Sequence, residues 1–274
     1  MDMLQNQVEA IAGGSGGEVA LYYQNLGAPD SLLIRPDERM HAASTMKVPV
    51  MIQLFADREA GLLDLDQTLT VRTTFSSIVD GSSYSLFPGS DTDTTLYLAE
   101  GEEVTYRHLI ELMITVSSNL ATNILIEVAD AERVTSSMRA LGADSIEVLR
   151  GVEDGPAFEA GLSNTTTARD LGIIMSAMGR GEVVSPKASE EMLDIMSRQK
   201  WRTKIPAKLP EGVRVAHKTG RINGISHDSG VVFPHEAPPY VLVILTRGFE
   251  DPDRADGVAA EISRIVFDHH TRKH

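Results

Sequence analysis

An α/β (α+β) fold is predicted for this chain, with one lobe built from both chain ends and an all-helical lobe inserted between them. Three observations lead there. Strand-like segments joined by a turn lie within residues 18–35. Helical periodicities succeed one another from Thr45 to about residue 200, and the pattern then returns to strands and closes on one helix. The boundaries that follow are 1–37 plus 205–274 for a discontinuous α/β lobe and 38–204 for the helical lobe.

In chain order, residues 5–12 read as a short helix broken by the Gly13–Gly17 cluster. No Gly-Lys-Ser/Thr follows those glycines, so they mark a turn rather than a phosphate loop. Glu18 to Leu26 and Ser31 to Arg35 are strands joined by the turn around Gly27-Ala28-Pro29-Asp30. Val48, Met51, Ile52 and Phe55 recur at helical spacing, with Pro49 close enough to the start to be tolerated. Residues 71–101 are polar and read as a long irregular excursion of the kind that rims binding sites. Thr105 starts the next helix, and the helix from Leu120 to Val128 is apolar on most sides and therefore central. Thr167-x-x-Asp170 and Ser185-Pro186 are two further helix starts. Arg214 to His217, Gly230 to Phe233 and Tyr240 to Thr246 are the returning strands, the last apolar throughout as for a strand covered on both faces. Asp251-Pro252 opens a final helix.

Composition narrows the function. The 274 residues carry a net charge of -14, which argues against nucleic acid or an anionic membrane as partner. No cysteine is present, so disulfides, thiolate metal sites and cysteine nucleophiles are excluded. The eight histidines show no metal spacing, and His269, His270 and His274 read as a solvated tail. No stretch reaches membrane-spanning length. The first residues lack the basic and apolar regions of a signal peptide, as in a cytoplasmic protein or a mature exported form.

Three short patterns carry chemistry. Ser44-Thr45-Met46-Lys47 opens an apolar helix and places a hydroxyl and an amine three residues apart on one face. A buried lysine there can lose its proton near neutrality and take one from serine. The competing reading of Ser44 is a helix cap. Ser197-Arg198-Gln199-Lys200 matches the same spacing, but in a charged run where nothing would depress the lysine. Ser117-Ser118-Asn119 precedes the central helix; Ser117 and Asn119 are either helix caps or a proton relay and an amide donor. Asn123, one turn on, could brace a neighbouring loop. Lys218-Thr219-Gly220 ends a strand-like run; the plain alternative is a surface lysine at a strand end. As a site, Lys218 and Thr219 would hold a substrate carboxylate, and Gly220 would let substrate approach the strand edge. The backbone N–H groups of Arg221 and Ser44 would then be oxyanion donors.

With all three patterns in this order, the chain resembles the penicillin-recognising serine enzymes, above all the class A β-lactamases and related serine hydrolases. The resemblance covers most of the chain and includes Ile205-Pro-Ala-Lys-Leu-Pro running into His217-Lys-Thr-Gly. It implies an antiparallel sheet flanked by N- and C-terminal helices. It also implies Ser44 as nucleophile, Lys47 as acylation base or relay and Ser117 as proton shuttle. Asn119 would contact the substrate amide, with Lys218 and Thr219 on the carboxylate. No cofactor is implied, and the Ser/Lys machinery needs no metal. Family resemblance further implies a periplasmic or secreted protein; a cytoplasmic location stays open.

One departure matters. Class A β-lactamases carry a Glu-x-x-Leu-Asn pattern whose glutamate activates the deacylating water. The corresponding stretch, Arg150 to Asn164, lacks it. Glu153 is the best candidate by spacing from Asn119, with Asp154 and Glu159 as alternatives; all three could equally be solvated loop carboxylates. Three functions follow: a β-lactamase, a D-alanyl-D-alanine carboxypeptidase or related amidase or esterase, and a penicillin-binding sensor with a long-lived acyl-serine. The partner is accordingly a β-lactam or an acyl-D-Ala-D-Ala peptide. Tyr84 and Tyr97 could wall the groove, though aromatic packing is the plainer use, and His227-Asp228 reads as a polar pair at a strand start.

Overall fold

The computed structural model describes residues 1–272, so His274 lies outside the described residues. The chain runs α1 (Asp2–Gly13), β1 (Glu18–Asn25), β2 (Ser31–Ile34), β3 (Met40–His41) and a 3-10 turn (Ala43–Met46) into α2 (Lys47–Glu59). The polar excursion carries the small strands β4 (Thr68–Thr70), β5 (Thr74–Ser76), β6 (Ser83–Ser85) and β7 (Glu103–Thr105). Helices α3 (Tyr106–Thr115), α4 (Asn119–Ala129), α5 (Ala131–Ala140) and α6 (Gly155–Glu159) follow, then β8 (Thr165–Thr166), α7 (Ala168–Gly179) and α8 (Pro186–Ser197). β9 (Arg214–Ile222), β10 (Ile225–Phe233), β11 (Tyr240–Arg247) and α9 (Pro252–Thr271) complete the chain.

Five strands from the two chain ends form one antiparallel sheet in the order β2-β1-β11-β10-β9. Alternation divides each central strand between two cores. Val241, Val243 and Leu245 of β11 join Ala20 and Tyr22 of β1 in the core shared with α2 to α5, α7 and α8. Tyr240, Leu242 and Ile244 join Val19, Leu21 and Tyr23 in the core under α1 and α9. This is why β11 reads as apolar throughout: both faces are covered. Thr105, Thr167, Ser185 and Asp251 each cap their helix by accepting a backbone N–H, as the sequence predicts. Pro49 sits in the first turn of α2, where a missing N–H is tolerated.

Three expectations need correction. β9 and β10 are longer than their apolar runs, so Lys218-Thr219-Gly220 lies inside β9 and His227-Asp228 inside β10. Both His227 and Asp228 are fully buried, not a polar pair at a strand start. His270 is no solvated tail: it is buried on α9, accepts or donates to the Tyr23 hydroxyl at 2.9 Å and meets the Pro238 carbonyl at 2.8 Å. It follows Ile262 and Val266 at four-residue spacing and so falls on the buried stripe of the helix.

α7 packs tightly on the sheet at Gly172, where an added Cβ would lie 2.3 Å from the Tyr22 ring. Gly172→Ala is therefore expected to destabilise the fold by about 1–3 kcal/mol despite alanine's better helix propensity. Urea unfolding of the two proteins checks this; equal or greater stability of the variant would contradict the packing.

Candidate active site

Ser44 lies in the 3-10 turn that leads directly into α2. The turn is fixed from several sides. The Thr45 hydroxyl donates to the Ala42 carbonyl at 2.6 Å, and the Ala42 N–H donates to the Asn164 carbonyl at 2.8 Å. The Ala43 N–H donates to His41 Nδ1 at 2.9 Å. His227 Nδ1 accepts the Thr246 N–H at 3.0 Å, so its proton sits on Nε2, which donates to the His41 carbonyl at 3.0 Å. Burial pushes the His227 pKa down to about 4, which keeps this bridge neutral. Ser44 itself caps no helix; Ala42 and Met46 occupy the cap positions, without side-chain bonds. Among the described residues no hydrogen bond occupies its hydroxyl, and it is half-buried on the wall of two cavities.

Behind it, two fully buried lysines meet at one hydroxyl. Lys47 Nζ donates to the Ser117 carbonyl at 2.7 Å, to Asn119 Oδ1 at 2.9 Å and to Ser117 Oγ at 3.2 Å. Lys218 Nζ, arriving from β9, donates to the same Ser117 Oγ at 3.0 Å and to the Thr219 carbonyl at 2.9 Å. Burial lowers the Lys47 pKa to about 7, against the opposing pull of Asp91 and Glu153. Burial, and then the charge on Lys47, drive Lys218 down as well. An amine near neutrality beside a serine hydroxyl is suited to accept and return a proton.

Ser117 reaches this position through a left-handed backbone, φ 65°, and is not the helix cap; Ser118 is, accepting the Ala121 N–H at 3.2 Å. Asn119 is the first residue of α4 rather than its cap. Asp91, which belongs to none of the motifs, orders this turn. One Asp91 carboxylate takes the N–H groups of Asn119 and Leu120 at 2.8 to 2.9 Å and the Tyr97 hydroxyl at 3.1 Å. Negative charge at the α4 N-terminus is favourable on its own account. Tyr97 thus supports the turn, and Tyr84 packs on Phe75 and accepts from Asn123 Nδ2.

β9 is the edge strand of the sheet, and it passes so close to the Ser44 turn that a side chain at 220 would need the turn to give by a few tenths of an ångström. A Cβ there would lie 3.1 Å from the Ser44 nitrogen and 3.3 Å from the Ala42 carbonyl. Thr219 is buried on the cavity wall, and Arg221 is exposed with its guanidinium on Asp256 at 2.6 Å.

The 149–164 loop closes the other side. Asn164 binds its base, accepting from Leu149 and Arg150 N–H groups at 2.8 and 3.2 Å and donating to the Arg150 carbonyl at 2.9 Å. Asn123 braces its middle, accepting the Val152 N–H at 2.6 Å and donating to the Val152 carbonyl at 2.9 Å. Asn123 Oδ1 would be 2.3 Å from a Cβ on residue 151, which explains Gly151. Of the three loop carboxylates, Asp154 is committed to structure, binding the Ser77 hydroxyl and the N–H groups of Ile78 and Ala157. Glu159 is exposed at the end of α6 and does not line the cavity. Glu153 does line it, exposed and at φ 60°. The second Ser-x-x-Lys match ends in an exposed Lys200 and plays no part. Among the described residues no cluster of side chains could hold a metal ion.

Two cavities flank Ser44. One, of about 560 Å³, is lined by Asn119, Glu153, Phe158 and Ile222; the other, of about 380 Å³, by Ser117, Trp201, Thr219 and Arg221. The groove thus runs past Ser44 from a side bearing Asn119 to a side bearing Thr219 and Lys204.

A family model described as the beta-lactamase enzyme family matches residues 3–270. A β-lactamase of Nocardia asteroides is 27% identical over 93% of this chain and 79% of its own. The solved structure of PBP-A is 29% identical with a TM-score of 0.86, covering 99% of this chain and 97% of that one. A variant of PBP-A, solved as an acyl-enzyme complex with penicillin G, is equally 29% identical with a TM-score of 0.85, over 99% of this chain and 97% of that one.

Two outcomes follow from this geometry. Gly220→Ala pushes β9 against the Ser44 turn and should slow acylation of Ser44 by at least about tenfold, while the thermal unfolding midpoint moves little; an unchanged acylation rate would contradict the close approach. If neutral Lys47 takes the Ser44 proton, as the sequence reading expects, acylation rate rises with pH through a midpoint of about 7 and levels off above it. Stopped-flow acylation across pH checks this, and a rate that falls as pH increases through that range would overturn it.

Proposed function

The chain belongs to the beta-lactamase enzyme family, and from that premise we propose that it opens β-lactams as a class A-type serine hydrolase, with Ser44 as nucleophile. The observation that carries the reading is the convergence of two buried lysines on the Ser117 hydroxyl behind Ser44. Lys47 takes the Ser44 proton as Ser44 Oγ bonds to the lactam carbonyl carbon. The developing oxyanion rests on the N–H groups of Ser44 and Arg221. Breaking of the carbonyl–nitrogen bond leaves an amine, which receives a proton through Ser117, itself resupplied by Lys47 or Lys218. Asn119 orients the acyl-side amide, while Lys218 and Thr219 hold the substrate carboxylate. Glu153 is the candidate to activate water against the acyl ester. Such chemistry accords with a periplasmic or secreted setting, and among the described residues no helix is long and apolar enough to cross a membrane.

A second reading has one specific observation in its favour. Asn123 holds the Val152 backbone in the middle of the loop, and no hydrogen bond fixes the exposed Glu153 carboxylate among the described residues. With water activation that weakly organised, the penicilloyl-serine persists, and the protein acts as a penicillin-binding acceptor, or as a D-alanyl-D-alanine carboxypeptidase whose peptidyl acyl-serine is hydrolysed while the penicilloyl one is not.

Intact-mass analysis after mixing with penicillin G separates these outcomes. The parent is expected to turn over without lasting adduct, Ser44→Ala to form none, and Glu153→Gln to accumulate one. An adduct on the parent that lasts for hours, with D-alanine released from a peptide, favours the second reading. Adduct formation in Ser44→Ala would remove Ser44 as nucleophile.

A further inference from the structure

The 380 Å³ cavity on the Lys218 and Thr219 side contains the only tryptophan of the chain. Trp201 follows α8 and is held rather than loose. Its indole N–H donates to the Val116 carbonyl at 3.1 Å, one residue before Ser117. Its backbone N–H donates to Gln199 Oε1 at 3.1 Å, and Gln199 is buried and donates to the Ile114 carbonyl at 2.8 Å. The Lys200 N–H reaches the Thr115 carbonyl at 2.9 Å. The end of α3 thus fixes the indole beside the proton-relay turn. Even so, 43% of Trp201 is exposed, on a wall shared with Ser44 and Thr219.

The charged groups of this cavity are already engaged with one another. Asp256 receives the Thr203 and Ser226 hydroxyls at 2.6 and 2.5 Å and the Arg221 guanidinium at 2.6 Å, with Lys204 Nζ at 3.3 Å. Beside the Thr219 hydroxyl assigned to the substrate carboxylate, what the cavity offers a ligand is a preformed aromatic surface. An indole fixed in orientation loses little entropy on binding, and its face favours a flat, electron-poor or aromatic ring.

We propose that Trp201 is the specificity-determining residue for the leaving-group side of the substrate, favouring acyl donors whose leaving portion carries a flat aromatic ring. This rests on the reading of Ser44 as nucleophile and of the Thr219 side as the leaving side. The acyl transfer is otherwise unchanged; the ring lies along Trp201 while the carbonyl–nitrogen bond breaks beside it.

Two cephems with identical acylamino groups, one with a 3-styryl and one with a 3-methyl substituent, provide the test. The acylation rate constant at Ser44 is measured for each by quenched-flow mass spectrometry, and their ratio removes the variation in folded fraction. Relative to the parent, the styryl-to-methyl ratio should fall by about fivefold in Trp201→Leu and be largely restored in Trp201→Phe. A ratio in Trp201→Leu equal to the parent's overturns the proposal while leaving Ser44 in place. The same holds if Trp201→Phe behaves like Trp201→Leu, since a ring would then not be what matters. Absence in the parent of both a Ser44 adduct and any hydrolysis of either cephem overturns both this inference and the reading beneath it.

Discussion

Two lysine side chains buried in one interior and pointing at the same hydroxyl are the constraint on which this structure turns. Each ammonium loses its water on burial, and the two repel one another. Lys47 is compensated by the Ser117 carbonyl and Asn119 Oδ1, and Lys218 by the Thr219 carbonyl. Neutral acceptors do not offset desolvation in full, so the amines yield protons more readily than exposed lysines do. The cost of burying both amines leaves Lys47 poised near neutrality, which is what the proposed reaction requires of it. The same reasoning explains the backbone at Ser117. In its left-handed conformation Ser117 presents both carbonyl and hydroxyl to the amines, and Asp91 holds the turn by accepting the first N–H groups of α4.

The rest of the fold serves this meeting point. β9 carries Lys218 in from the sheet, while the 3-10 turn and α2 carry Ser44 and Lys47 from the helical side. Contact between them is set by backbone proximity at Gly220, and His227 ties the turn to the sheet through the His41 carbonyl. Two asparagines do the same for the loop opposite: Asn164 at its base, Asn123 at its middle. The loop therefore has a fixed backbone, while its cavity-lining carboxylate, Glu153, is fixed only through that backbone. In the proposed reaction, release of the acyl group falls to this carboxylate, which no hydrogen bond orients among the described residues.

Much of this was legible in the sequence because the signals are local. Helix periodicity, capping residues and three short motifs all act over a few residues, and each motif reached the same groove. What escaped notice depended on polar residues placed where apolar ones are usual. Lys218, Thr219, His227 and Asp228 interrupt the hydropathy of β9 and β10, so both strands looked shorter than they are. His270 looked like tail for the same reason, although its spacing from Ile262 and Val266 was the available clue. Asp91 could not be found at all, since it lies 28 residues from the N–H group it binds and belongs to no motif. The left-handed turn at Ser117 had no glycine to announce it.

The protons on the two lysine nitrogens can be observed directly. Protein labelled with ¹³C at the lysine ε carbon, compared with Lys47→Arg and Lys218→Arg for assignment, gives the titration of each amine by NMR. A Lys47 midpoint near 7 and a Lys218 midpoint clearly below that of exposed lysines are expected. A Lys47 resonance that titrates with the bulk of the surface lysines would contradict this, because the proposed base would then be charged at every pH where the fold works.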